Sequence, residues 1–253
     1  LLPVQRQSLL FSATFSEEIK KLADRMLHSP QLIEVARRNT VSETITHRVH
    51  PVAAEAKRAL LVKLLKSAEF NQVLVFTRTK IETNRLARDL QRAGIATDSI
   101  HGDKSQLDRL KALEAFKDGT TLVLVATDVA ARGLDIDELP HVINFEIPHT
   151  PEDYVHRIGR TGRAGKTGTA VSLVSADEVQ YLVDIEKLIK MQIEQVIVPG
   201  FEPEYDYEYP PSGKRKPRRR LQSPEVAPAV RPPRERSAGR GRTSHIAPDG
   251  FDF

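Results

Sequence analysis

The chain has 253 residues, 40% of them hydrophobic, which suffices for a packed core in one large or two modest domains and excludes disorder throughout. It has no cysteine, so a disulfide, a thiol nucleophile and cysteine-ligated zinc are excluded, and no apolar run approaches the roughly 20 residues needed to span a bilayer. The net charge of +4 is uneven: residues 1–211 carry 27 Lys+Arg against 30 Asp+Glu, and residues 212–253 carry 11 against 4.

The opening "RQSLLFSAT" reads as a strand already running at the first residues, so the chain is expected to be a piece of something longer. It feeds "SEEIKKLADRML", in which Ile19, Leu22, Ala23, Met26 and Leu27 fall at helical spacing. "TFSE", from Thr14 to Glu17, has the wording of a capping box at that helix's start. A short strand then gives way to polar text without periodicity. This predicts a first unit over residues 1–36 and a linker over 37–44.

From residue 45 to about 198 apolar runs alternate with helical segments. Strands are expected at 73–76, 97–100, 122–127, 141–145 and 169–174. Between two of them, "SQLDRLKALEAF" places Leu107, Leu110, Leu113 and Phe116 on one side of a helix. Such alternation predicts an α/β fold whose parallel sheet is covered by helices on both faces. Residues 199–211, "FEPEYDYEYPP" and its neighbours, read as an extended acidic and aromatic linker. Residues 212–253, rich in Pro, Arg and Gly, have too little apolar surface to fold alone and read as a disordered basic tail.

In parallel sheets ligands gather beyond the carboxyl ends of the strands. Those ends read "TRTK", "HGD", "TDVAARGLD" and "EIPHT", four apolar strands running into polar or glycine-bearing text. The densest chemistry follows in "HRIGRTGRAG", residues 156–165, where Arg157, Arg160 and Arg163 recur every third position. "PEDYVHRI" predicts a helix from Pro151, with the three arginines projecting from its end and the turn beyond. Guanidinium groups fork onto phosphate oxygens, and the glycines allow close approach by another surface, so the array suits a polyanion; a solvated basic face is the other reading. "GRTGRAGKT" imitates a phosphate loop but has five residues between Gly159 and Gly165 where four are needed, and it follows a helix where a strand is required. Asp128, without a phosphate loop to complete a magnesium site, reads as a structural aspartate bonded to backbone or to an arginine.

Together, "SAT" (12–14), "VLVFTRTK" (73–80), "HGDKSQLDR" (101–109), "VATDVAARGLDI" (125–136) and "HRIGRTGRAG" (156–165) resemble, in order and spacing, the post-catalytic half of a DEAD-box RNA helicase. The resemblance covers about residues 4–198, and "IEQVIVPGFEP" with the basic tail is similar to the bacterial RhlE-type group. It implies RecA-like architecture, with the end of a first domain at 1–36 and the whole second domain at 45–198. It further implies ATP with Mg2+ as cofactor, the metal and phosphate loop being supplied by an N-terminal RecA-like domain. RNA is the implied partner, in a cytoplasmic setting.

By that likeness Arg160 and Arg163 are arginine fingers, Gly133, Asp135 and His156 meet the nucleotide, and Arg78, Gly102, Arg109 and Thr127 contact RNA phosphates. Ser12, Thr14 and Arg157 couple the nucleotide and RNA sites. No residue of this chain is expected to bind metal. Gln106 and Arg109 also read as a helix-start cap and a solvated charge. Such a chain is expected to be inactive alone, as one half of an ATPase site; the other reading is a non-enzymatic RNA-binding module.

Overall fold

The computed structural model of the protein describes residues 3, 5–12, 17–33, 44–134, 136, 138–163 and 165–203. Residues 37–43 of the linker expected over 37–44, the tail over 212–253, and the site residues Thr14 and Asp135 lie outside them. Helix α1 (Glu17–Met26) forms where the helical spacing predicts it, yet Leu22 and Met26 are exposed and only Ala23 of its apolar face is buried. The strand expected before it is absent: residues 6–12 carry no regular structure, and Leu9 and Phe11 are 70% and 87% exposed. A strand needs a neighbour to take its backbone hydrogen bonds, and no described strand lies beside this segment.

Seven parallel strands form one sheet: β1 (Ile45–Pro51), β2 (Val73–Thr77), β3 (Thr97–Ile100), β4 (Val123–Thr127), β5 (His141–Asn144), β6 (Gly168–Val174) and β7 (Glu194–Gln195), in the order β3-β4-β2-β5-β6-β1-β7. Five of these match the expected runs to within a residue at either end. Strand β1, between β6 and β7, does not stand out in the sequence because "ITHRVHP" contains only two strongly apolar residues. His47 and His50 nevertheless point into the protein and are buried.

Side chains alternate across the sheet, as the two-residue period of a strand requires. Val73 and Val75 face a core shared with Leu60 and Leu61 of α2 (Lys57–Leu65) and Leu86 and Leu90 of α3 (Lys80–Arg92). Leu74 and Phe76 face the other side, with Ala112 and Phe116 of α4 (Gln106–Lys117) and Ala130 of α5 (Asp128–Ala131). Next to this second core, α6 (Pro151–Ile158) and α7 (Val179–Ile189) cover β6 and β1 through Tyr154, Ile158, Leu182 and Ile185. The stripe expected on α4 is only half buried: Leu107 and Leu110 are exposed, while Leu113 is partly buried and Phe116 buried. Among the described residues no helix is long and apolar enough to cross a membrane.

Candidate nucleotide and nucleic-acid site

The carboxyl edge of the sheet collects the functional text. Helix α6 starts with Pro151 in its first turn, where the missing N–H costs no hydrogen bond, and carries acidic residues in its first turn and His156 and Arg157 in its last, in accord with the helix dipole. It ends at Gly159, and the segment that follows is pinned to its surroundings. Leu139 N–H donates to the Arg160 carbonyl at 3.0 Å, the Thr161 hydroxyl donates to the Leu139 carbonyl, and the Thr44 hydroxyl donates to the Gly162 carbonyl at 2.7 Å. Gly162 has φ of +66°, and a Cβ there would lie 2.4 Å from Ile45 Cγ1. The surface that approaches this glycine closely is therefore β1 of the same chain.

Arg157 does not project as expected; it is 1% exposed. Its Nε and Nη2 donate to the two carboxylate oxygens of Asp128 at 2.6 and 2.8 Å, and Nη1 donates to Asn144 Oδ1 at 3.1 Å and to the Glu146 carbonyl at 2.7 Å. The guanidinium also lies 5.1 Å from the centre of the Phe76 ring. Burial of an arginine demands this much compensation, and the sequence spacing could not reveal it because Asn144 comes from β5, Glu146 from the bend after it and Phe76 from β2. Asp128, as expected, is a structural partner of an arginine.

Beside the inward-turned Arg157 the surface forms a cleft. Its walls are Phe76, Asp128, Ala131, Arg132, His156, Arg157 and Arg160, and it encloses only about 30 Å³. That is far below the roughly 300–1,000 Å³ of pockets that bury a small molecule, so this surface makes at most one shallow wall of a site. Arg160 Nη1 donates to the Leu134 carbonyl at 3.3 Å, and Arg132 is paired with Asp153 of α6. Arg163 is exposed beyond them. Gly133, in the turn after α5, has φ of +78° and open space where a Cβ would stand. Among the described residues no group of three or more His, Asp or Glu side chains is placed to hold a metal ion.

The residues expected to meet RNA lie at or just beyond the ends of three adjacent strands, β3, β4 and β2, and on helix α4. Gly102 lies in the turn after β3, where His101 Nε2 donates to Asn84 Oδ1 at 2.9 Å and Nδ1 accepts from Asp103 N–H at 3.3 Å. Burial lowers the His101 pKa, helped by Lys104, which keeps the ring neutral for this paired role. Thr127 closes β4 as the residue before α5. Arg109 bridges α4 to α5, with Nη1 3.4 Å from Gln106 Oε1 and Nη2 3.5 Å from the Ala130 carbonyl, and its Nε is buried without a partner. The cap of α4 is Ser105, whose hydroxyl accepts from Asp108 N–H at 3.1 Å; Gln106 is the first helical residue. Ser12 is exposed in the N-terminal segment.

Arg78 sits in an acidic clasp that sequence reasoning missed. Glu146 accepts from its backbone N–H at 2.7 Å and from Nε and Nη2 at 3.3 Å, Glu178 lies 3.4 Å from Nη2, and His149 meets Nη1. Lys57, 4% exposed, pairs with Glu178 and donates to the Phe145 carbonyl at 3.1 Å. Burial lowers the Lys57 pKa, and the Glu178 carboxylate opposes that shift.

The false phosphate loop is also resolved. Behind Gly165, Lys166 pairs with Glu138 and the chain enters strand β6, so no helix N-terminus faces a phosphate there.

This arrangement has counterparts of known type. Residues 56–165 match the family described as the helicase conserved C-terminal domain. The chain is 44% identical over 197 residues to the DEAD-box ATP-dependent RNA helicase CshA of Geobacillus kaustophilus, covering 78% of this chain and 42% of that one. The E. coli DEAD-box protein SrmB, in its crystal structure with regulator of ribonuclease activity A, is 38% identical and superposes with a TM-score of 0.60 over 68% of this chain and 99% of that one. The chain belongs to the DEAD-box family. It carries the RecA-like C-terminal domain of that family and spans less than half the length of the CshA relative. The DEAD-box protein Dbp5 of S. cerevisiae, solved bound to RNA and ADP BeF3, superposes with a TM-score of 0.70 at 29% identity, covering 78% of this chain and 52% of that one.

Proposed function

We propose that this chain is the C-terminal part of an ATP-dependent RNA helicase, coupling ATP hydrolysis to local duplex unwinding or to remodelling of RNA–protein complexes. The observation that carries the reading is the division of labour within one motif: Arg157 is buried as a strut, while His156 and Arg160 line an open cationic cleft at the carboxyl edge of the sheet. A module that only gripped RNA would not need a wall of this kind beside its RNA-facing strands.

In this proposal ATP is held by an N-terminal RecA-like domain carrying the phosphate loop and the D-E-A-D segment, with Mg2+ bound there. Arg160 and Arg163 reach the phosphates across the domain cleft and stabilise the charge of the transferring phosphoryl group, a contribution on the order of 10³–10⁵ in rate for arginine fingers in general. His156, Gly133 and Asp135 meet the nucleotide from this side. Arg78, Gly102, Arg109 and Thr127 grip RNA phosphates without reading bases, in keeping with a chain that lacks tryptophan. Ser12, Thr14 and Arg157 link the two events, residues 1–36 ending the first domain and 45–198 forming the second. "IEQVIVPGFEP" and the basic tail support an RhlE-type assignment, and the absence of cysteine accords with a cytoplasmic setting.

The test is reconstitution. This chain, mixed with a separately expressed domain that carries the phosphate loop, is expected to show RNA-stimulated ATP hydrolysis that neither part shows alone, and Arg160→Ala or Arg163→Ala to abolish it. RNA binding with no hydrolysis on mixing, both parts being folded, would favour the non-enzymatic RNA-binding module.

A further inference from the structure

Beneath α6, three neighbouring strands each place one polar residue on a sheet face that is otherwise apolar. Asn144 of β5, Ser172 of β6 and His47 of β1 share that face with Val142, Ala170, Val174, Ile45 and Val49, and Asn144 stands opposite Ser172 in register. Asn144 and Ser172 are 0% exposed and His47 is 7% exposed. From the helix above, Tyr154 and Arg157 reach down to them, themselves almost wholly buried.

The five side chains form two short lines side by side. Arg157 Nη1 donates to Asn144 Oδ1 at 3.1 Å and Asn144 Nδ2 donates to Ser172 Oγ at 3.1 Å, while Tyr154 Oη lies 2.8 Å from His47 Nδ1. A guanidinium can only donate, so Asn144 accepts through its oxygen and donates through its nitrogen, and Ser172 Oγ accepts. The Tyr154 hydroxyl and His47 Nδ1 share one hydrogen bond, and His47 Nε2 is buried without a protein partner.

An apolar seat would let α6 slide or tilt at little cost, since apolar contact is non-directional. Lines of directed bonds do not, because any shift leaves buried groups unpaired. We infer that Tyr154, Ser172 and His47 are positioning residues for the arginine segment, holding α6 at the height and rotation that present His156 and Arg160 to the cleft. The inference rests on the proposed role of Arg160. It extends that site to β1, two strands across the sheet from β5 and directly after Thr44, the residue bonded to the Gly162 carbonyl.

The experiment is steady-state, RNA-stimulated ATP hydrolysis in the reconstituted pair, with kcat and the KM for ATP read separately for Tyr154→Phe, His47→Leu, His47→Gln, Ser172→Ala and Arg160→Ala. A displaced arginine segment is expected to lower kcat about tenfold in Tyr154→Phe and His47→Leu while KM stays within about twofold, since small misplacements fall on the transition state. Gln, whose amide can accept from or donate to the Tyr154 hydroxyl, is expected to restore kcat to within about twofold of the parent. Ser172→Ala removes one oxygen and leaves the Asn144 amide without its acceptor at the least risk to folding, so its kcat decides the matter if the larger changes unfold the protein. Wild-type kcat in Ser172→Ala and Tyr154→Phe, or a His47→Gln variant as slow as folded His47→Leu, overturns the inference while leaving the finger reading intact. Full turnover in Arg160→Ala overturns both.

Discussion

Arg157 and Asp128 are joined by a two-pronged ion pair, with Nε 2.6 Å from Oδ1 and Nη2 2.8 Å from Oδ2, and the arginine is 1% exposed. A buried pair of this kind is costly to break from one side, because the partner keeps its charge and loses its solvation. Arg157→Leu is expected to lower the unfolding free energy by about 3–5 kcal/mol. Arg160→Ala, on the cleft wall, is expected to change it by less than about 1 kcal/mol. Urea titrations of the two variants check the contrast, and equal losses would show that Arg160 is also part of the frame.

Two glycines of the arginine segment differ in what surrounds them. Gly162→Ala places a Cβ 2.4 Å from Ile45 Cγ1 at φ of +66°, so steric overlap of about 1–3 kcal/mol adds to a left-handed backbone cost of about 1–2 kcal/mol. Gly165→Ala, at φ of +78° with open space around it, is expected to lose the backbone part alone. Thermal or urea unfolding should rank Gly162→Ala clearly below Gly165→Ala.

Stability is expected to rise with pH between about 4 and 6.5. Burial pushes the His47 imidazole down to about 4, whereas an unfolded histidine titrates near 6.5, so within this window the unfolded chain binds the proton more readily. The full loss on acidification is about 3 kcal/mol for this residue, present below about pH 4 and absent above about 6.5. Burial lowers His50, His101 and His141 as well, in the same direction. Unfolding free energies at pH 4.5, 5.5 and 7 should show this slope, and His47→Gln should flatten it.

Glu146 holds the side chain proposed to meet RNA. If Arg78 exchanges the Glu146 carboxylate for a phosphate, Arg78→Ala should weaken single-stranded RNA binding and reduce the log–log salt slope by about 0.7. Glu146→Gln should instead tighten binding a few-fold, by weakening the competing partner. Affinities measured at several salt concentrations decide this; an Arg78→Ala variant with an unchanged slope would assign the arginine to the acidic clasp alone.

Much of the fold is legible in the residues because the forces involved are local. Apolar runs such as "VLVF" and "LVLVAT" cannot be exposed, the helices between them have the right period, and Pro151 announces the start of α6. The family likeness is legible for a related reason: motif wording is contiguous, so "HRIGRTGRAG" and "VATDVAARGLDI" are recognised before any contact is known. Ser105 with Asp108 likewise marks the start of α4 from neighbouring residues.

What depended on distant partners was not legible. "RQSLLFSAT" has the composition of a strand, but strand identity requires a neighbour's hydrogen bonds, and none is present among the described residues. "ITHRVHP" lacks that composition and is an inner strand, because its two histidines find buried partners in Tyr154 and Val196. Three arginines spaced alike in sequence divide into one buried strut, one cleft wall and one exposed side chain. Spacing along the chain determined that they would share a turn; only the packing of α6 on β5, β6 and β1 decided which faced inward, since a guanidinium enters a core only where carboxylate, amide and carbonyl groups from other elements converge to receive it.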